Sequence, residues 1–218
     1  MPGFTRRQSC ATGRQTADSI ETSSELVRPR LEGECREVTV AFADIRGFTT
    51  LAECIPLEEL ITVLNTYLST IIQAFLEQGG MISKLGGDSV MAVWNAPVDC
   101  PKHALLATVA ALEAQRAVHN LQMSEITLAR VGFGIGINTG RVIAGGIGCE
   151  DKLEYSVIGD AVNIASRITD TAPAGKVWVA ASTFDSIEGY ITARPLKPMA
   201  VKGKRQPVKA YEVLDIYK

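Results

Sequence analysis

The run Val38-Thr39-Val40-Ala41-Phe42-Ala43 stops abruptly at Asp44-Ile45-Arg46-Gly47. Apolar residues fall on both alternating sides of this run, the pattern of a central strand covered on both faces. Such a strand obliges the rest of the chain to supply two covering layers. Helical spacing supplies them. Pro56 followed by Glu58 and Glu59 opens a helix. Leu60, Leu64, Leu68, Ile71 and Phe75 then recur at helical intervals up to Gly79-Gly80. Asp99 and Pro101 open a second helix through Leu105, Val109, Leu112 and Arg116 to about Leu121.

The remaining segments read as short strands and turns. Residues 81–85 and 90–94 form a hairpin around Gly86-Gly87-Asp88. Residues 130–139 and 142–147 form a second strand pair around Gly140-Arg141, and Gly145, Gly146 and Gly148 loosen the chain before a projecting arm at 150–154. Asp160 caps a short helix to Asp170, 176–180 is a strand and 182–187 a helical turn. Two C-terminal strands flank Lys202-Gly203-Lys204-Arg205-Gln206-Pro207. Strands alternating with helices and hairpins, without an internal repeat, predict an α+β fold, an α/β sandwich. Residues 1–30 are polar and rich in Ser, Thr, Arg and Gln, so they read as a linker or frayed tail. The folded domain takes 31–218, with regular structure starting near Glu37.

Composition excludes several classes. The 218 residues, 46% apolar and 21% charged, suit one globular domain. The 22 basic and 24 acidic side chains leave a net charge of −2, with no basic excess for nucleic acid or a membrane surface. The 5 cysteines (Cys10, Cys35, Cys54, Cys100, Cys149) are scattered, which argues against a disulfide framework or zinc site and for a reducing cytoplasm. The apolar stretch 61–76 is broken by Asn65, Thr66, Ser69, Thr70 and Gln73, unlike a bilayer span. No apolar stretch follows Arg6 and Arg7 to make a secretory signal.

Chemistry gathers at the strand ends. A carboxylate directly after a buried strand is costly unless paired or metal-bound, although a turn or cap aspartate fits Asp44 too. Asp88 on its own is ordinary hairpin material. If that hairpin lies beside the Asp44 strand, the two carboxylates converge, and oxygen ligands of this kind suit Mg²⁺ or Mn²⁺. Two such ions about 3.5–4 Å apart can activate an attacking oxygen and neutralise a leaving one. The turn 45–50 leads toward a helix, where free backbone N–H groups can cradle phosphate and Gly47 permits close approach. Asn163 and Arg167, spaced i, i+4, share a helix face. They form either a solvated polar face or a group that meets charge on a phosphoryl centre.

Phe42-Ala43-Asp44-Ile45-Arg46-Gly47-Phe48-Thr49, Lys84-Leu85-Gly86-Gly87-Asp88 and the stretch from Tyr155-Ser156-Val157-Ile158-Gly159-Asp160 to Asn163-Ile164-Ala165-Ser166-Arg167 together resemble the class III nucleotidyl cyclase catalytic domain. The resemblance spans about 37–216. It implies a ferredoxin-like, palm-type core with a mixed, mainly antiparallel sheet, and a head-to-tail dimer with interfacial active sites. By similarity, Asp44, Ile45 and Asp88 hold two Mg²⁺ or Mn²⁺ ions per site. Ile45, Gly47, Phe48, Thr49 and Lys202 contact the nucleotide, Asn163 orients the ribose and Arg167 stabilises the transition state. An upstream regulatory module is compatible with the polar tail.

In the family, the positions of Lys84 and Ser156 read the purine. Lys84 can donate to adenine N1 and the Ser156 hydroxyl can accept from N6, whereas guanine N1 is itself a donor. ATP is therefore the expected substrate and cyclic AMP the product. Ser156 also resembles the bacterial, bicarbonate-responsive branch, which makes bicarbonate a candidate activator. One departure is Gly134, which occupies a position where some members carry a phosphate-binding arginine. Lys202, with Lys204 or Arg46, then has more triphosphate charge to meet. The rivals are a guanylate cyclase, a diguanylate cyclase (disfavoured by Ser89-Val90 after Gly-Gly-Asp) and a catalytically inactive cyclase-like regulatory domain.

Overall fold

A computed structural model of the chain describes residues 33–124, 131–149, 152–200 and 207–217. The long strand β1 (Glu34–Arg46) lies at the centre, antiparallel to β3 (Ser89–Trp94) on one side and β4 (Gly132–Cys149) on the other. With β2 (Met81–Leu85), β5 (Lys152–Ile158), β6 (Lys176–Ala180), β7 (Ile191–Pro195) and β8 (Ala210–Ile216), these strands make an 8-stranded sheet. Its order is β2-β3-β1-β4-β6-β8-β7, with β5 paired to the far half of β4. Only β4 and β6 pair in parallel, so the sheet is mixed and mainly antiparallel, as expected.

Both faces of β1 are indeed covered, and by different helices. On one face, α2 (Leu57–Glu77) and α3 (His103–Ser124) pack against Ala41, Ala43, Ile45, Val90, Ala92 and Trp94. α5 (Ala181–Ile187) adds Ile187 to that cluster, and the short α1 (Phe48–Cys54) adds Leu51. By length and composition α2 could cross a membrane, but its Tyr67, Ile71 and Phe75 are fully buried in this core. On the other face, α4 (Asp160–Thr171) buries Ala161 and Ala165 against Val38, Val40, Met91 and Val142.

Four local expectations change. The strand pair around Gly140-Arg141 is one continuous strand, in which Gly140 opposes Val38 and Arg141 opposes Glu37. Gly140 is not a turn residue: a Cβ there would lie 3.1 Å from Ala161 Cβ, so its glycine makes room for α4. Likewise Gly145, Gly146 and Gly148 do not release the chain; they pair with Ser156, Tyr155 and Leu153 in the β4–β5 ladder. Finally, Gly159 is the N-cap of α4 and Asp160 an acidic residue of its first turn, where it complements the helix dipole. β1 also begins three residues before Glu37, at Glu34.

Candidate active site

The alternation of β1 decides which face carries the chemistry. Phe42 and Lys84 both oppose Met91, which packs beneath α4, so these residues share the α4 face. Two residues beyond Phe42, Asp44 lies on that face between Ser89 and Gly134. The face that α4 covers only in part therefore presents Asp44, Arg46 and Lys84.

The turn that carries Asp88 lies against the end of β1. The β2–β3 turn places Gly87 in the left-handed region (φ 71°), which glycine adopts without strain. Gly86 N–H donates to Ser89 O at 2.9 Å, and Ile45 N–H donates to Asp88 O at 3.2 Å, tying the turn to the end of β1. Burial raises the Asp44 pKa, the Arg46 guanidinium works against that rise, and the charges of Asp88 and Asp170 reinforce it. Such a corner holds excess negative charge. Among the described residues no cluster of three or more His, Cys, Asp or Glu forms a complete cage. Two carboxylates with the rest of the shell left to phosphate and water match the way Mg²⁺ is held, so the donor set fits the expected ion.

Beyond Asp44 the chain turns at Gly47 (φ 82°) into α1, with Leu51 N–H donating to Gly47 O at 3.0 Å. Phe48 and Thr49 stand in the first turn of α1, where backbone N–H groups lack intrahelical acceptors. Lys84 is exposed at the end of β2, after an irregularity in pairing at Ser83. Ser156, on β5, reaches this end of β2: its Oγ lies 3.1 Å from Ser83 Oγ. Asn163 and Arg167 are both exposed on α4, and Arg167 Nη1 pairs with Asp170 Oδ2 at 3.1 Å. Lys202 and Lys204 fall outside the described residues.

Two residues acquire roles that sequence reasoning missed. Arg46, considered above as a triphosphate contact, turns inward. Its Nη1 donates to Asp44 Oδ2, Nη2 to Thr169 O and Nε to Ala172 O at 3.1 Å. It occupies space beside Gly134, where an added Cβ would meet Arg46 Nη2 at 2.9 Å and Ala172 O at 2.2 Å. No side chain fits at 134, and a guanidinium from the neighbouring strand stands there instead. The second residue is Asp170, partner of Arg167 and electrostatic neighbour of Asp44. The signals were available as spacing: 44 and 46 share a strand face, and 167 and 170 are i, i+3 on a helix.

An eight-stranded mixed sheet with helices on both faces, two aspartates near the end of its central strand and an exposed Asn/Arg helix face is the arrangement of a nucleotidyl cyclase domain. Residues 32–215 match the family described as "Adenylate and Guanylate cyclase catalytic domain", and the chain belongs to that family. It is 34% identical over 186 residues to a terminal-differentiation-specific adenylate cyclase of Dictyostelium discoideum, covering 83% of this chain and 9% of that protein. The crystal structure of the adenylyl cyclase CyaB from P. aeruginosa superposes with a TM-score of 0.82 at 33% identity, covering 86% of this chain and 98% of that one. The guanylyl cyclase Cya2 superposes with a TM-score of 0.78 at 30% identity, covering 86% and 96%. The fold is thus the class III cyclase α+β sandwich. Similarity reaches adenylyl and guanylyl cyclases alike.

Proposed function

We propose that residues 31–218 form an adenylate cyclase domain that converts ATP to 3′,5′-cyclic AMP and pyrophosphate at a homodimer interface, with 1–30 as a linker. The observation that carries this reading is the gathering of Asp44, Asp88, Lys84 and the Asn163/Arg167 helix face around one side of the sheet, with Lys84, Asn163 and Arg167 exposed. A chain that acted alone would have little reason to leave these groups in solvent. A second copy can supply what the first lacks, so that each site combines carboxylates of one subunit with Lys84, Ser156, Asn163 and Arg167 of the other. Ile143 and Ile158 support this arrangement: they oppose one another across β4–β5 and both are more than half exposed.

Each side chain then has a role. Asp44, Asp88 and Ile45 hold two Mg²⁺ or Mn²⁺ ions, which when bound supply a more acidic ribose 3′-hydroxyl and charge neutralisation on the triphosphate. The turn from Ile45 through Gly47, Phe48 and Thr49 cradles phosphate, with Lys202 contributing charge. Asn163 keeps the ribose in attack geometry. The 3′-oxygen bonds to the α-phosphorus as the bond to pyrophosphate breaks, and Arg167 meets the charge that develops. For this, Arg167 must leave Asp170, an exposed i, i+3 pair of small intrinsic strength. Lys84 donates to adenine N1 and Ser156 accepts from N6. We assign the domain to the cytoplasm, with bicarbonate as a candidate activator through Ser156 and an upstream module as a candidate regulator.

The test is incubation with ATP or GTP, each with Mn²⁺ and with Mg²⁺, with cyclic product and pyrophosphate quantified at several protein concentrations. Cyclic AMP from ATP, rising in specific activity with concentration, is the expected outcome. Preferential turnover of GTP overturns the base assignment, and nucleotide binding without product overturns the enzyme.

A further inference from the structure

Arg46 joins two parts of the chain that work in different active sites under the shared-site reading above, on which this inference rests. Asp44, to which Nη1 donates, serves the site of its own subunit. The carbonyls of Thr169 and Ala172, which accept from Nη2 and Nε, close the C-terminal end of α4, and α4 presents Asn163 and Arg167 to the site of the partner. A helix ends with carbonyls short of donors and with a partial negative charge. α4 has no basic residue in its last turn and carries Asp170 there, so Arg46 brings from β1 the cation that this helix end lacks.

The helix is seated too tightly to absorb a change at its end locally. At Gly136 an added Cβ would lie 2.4 Å from Thr169 N and 2.9 Å from Ala165 O, so the backbones of α4 and β4 touch there, as they do at Gly134. Thr169 Oγ1 also lies 3.3 Å from Phe42 O on β1. Close-packed elements of this kind shift as bodies.

We propose that Arg46 is a positioning residue that links the two sites of the dimer. A divalent cation at the carboxylate corner of one subunit competes with the Arg46 guanidinium for Asp44. The displaced guanidinium then alters its hold on α4, and with it the placement of Asn163 and Arg167 in the opposite site.

Mixed dimers of the full chain test the link. Asp44→Ala and Arg167→Ala subunits, inactive alone, together form one intact site, whose carboxylates come from the second and whose Asn163 and Arg167 come from the first. If the mixture shows no activity, the shared-site reading fails and the link falls with it. Arg46→Gln is then added only to the Asp44→Ala subunit, whose own corner is already inactive. A loss in kcat of about 5-fold or more, with the metal dependence unchanged, is expected of a residue acting across the dimer. A silent substitution there overturns the positioning role of Arg46, on which the link depends, while leaving the shared site standing; because Asp44 is already absent from that subunit, the cation response itself is read by amide exchange. Amide exchange gives a readout without turnover: Mn²⁺ alone should change protection in the last turn of wild-type α4 and leave Arg46→Gln unresponsive. Unchanged wild-type exchange also overturns the proposal. If Arg46→Gln does not fold, Arg46→Lys, which keeps the charge but cannot reach three acceptors in one plane, takes its place in both arms.

Discussion

The carboxylate corner and the exposed face of α4 are built in opposite ways. Asp44 is half-buried, clasped by Arg46 and pinned to the β2–β3 turn through Ile45 and Asp88, all within one chain. Asn163 and Arg167 project into solvent from a helix whose buried side is anchored on glycines. A site that must hold like charges together needs a rigid, internally satisfied frame. Groups that act on another subunit's substrate need a rigid helix beneath them and open space above. On the shared-site proposal, the contrast separates the half of the chemistry that one chain completes from the half that it offers.

Substitutions should divide along the same line. The largest effect is expected from Asp44→Ala, Asp88→Ala and Arg167→Ala, each lowering turnover by roughly 10²–10³-fold or more with the fold intact by circular dichroism. Near-normal rates in a folded variant of any of them would remove that residue from the site. Next is Lys84→Glu, which places an acceptor where guanine N1 donates. It should shift the ATP-to-GTP preference by roughly 5- to 150-fold, the range set by a mispaired buried polar group. An unchanged ratio of the two kcat/KM values counts against Lys84 as base reader. Ile158→Glu probes the offered half differently. A charge beside Ile143 should weaken self-association by about tenfold, roughly 1.4 kcal/mol, with activity recovering at higher protein concentration. Sedimentation and rate measured over the same concentration series decide it, and concentration-independent loss speaks against a dimer contact there.

The smallest effect on catalysis belongs to a residue outside both halves. Glu212 is buried on β8, with Lys176 Nζ at 3.1 Å and Arg194 Nη2 at 2.8 Å from its carboxylate oxygens. Burial pushes its pKa up, but the hydrogen bonds and charges of Arg194 and Lys176 together prevail and hold it below the ordinary glutamate value. A depressed folded-state pKa gives stability that is fully present above the unfolded value and is lost as the pH falls through the folded one. Glu212→Gln should therefore cost about 1–3 kcal/mol near neutrality, flatten the acid limb of the stability profile, and leave kcat alone. Denaturant midpoints measured between neutral pH and the acid limb check both parts.

Sequence alone carried the reading far where pattern is local. The period of Leu60, Leu64, Leu68, Ile71 and Phe75 marks α2, and the two-sided run before Asp44 marks the centre of the sheet. It misled where glycine answers to a distant neighbour. Gly140 looks like a turn but lies inside a strand, because α4 crosses above it. Arg46 reads in sequence only as a contributor to triphosphate charge; its bond to Thr169 O, 123 residues away, arises from the packing of α4 on β1. The motif residues are legible in the sequence; the contacts among them are tertiary.

β1 enters the sheet at Glu34, opposite Ala144, where β4 begins to pair with β5. Gly33 lies against the side chain of Ile143, so an added Cβ would come within 2.4 Å of it. Asp44 is ten residues further on, roughly 33 Å at the rise of an extended strand. A torque delivered through the start of β1 therefore reaches the Ile143–Ile158 ladder first and the carboxylates last. If two copies meet at that ladder, as proposed above, an input at the start of β1 acts on how they meet before it acts on the carboxylate corner.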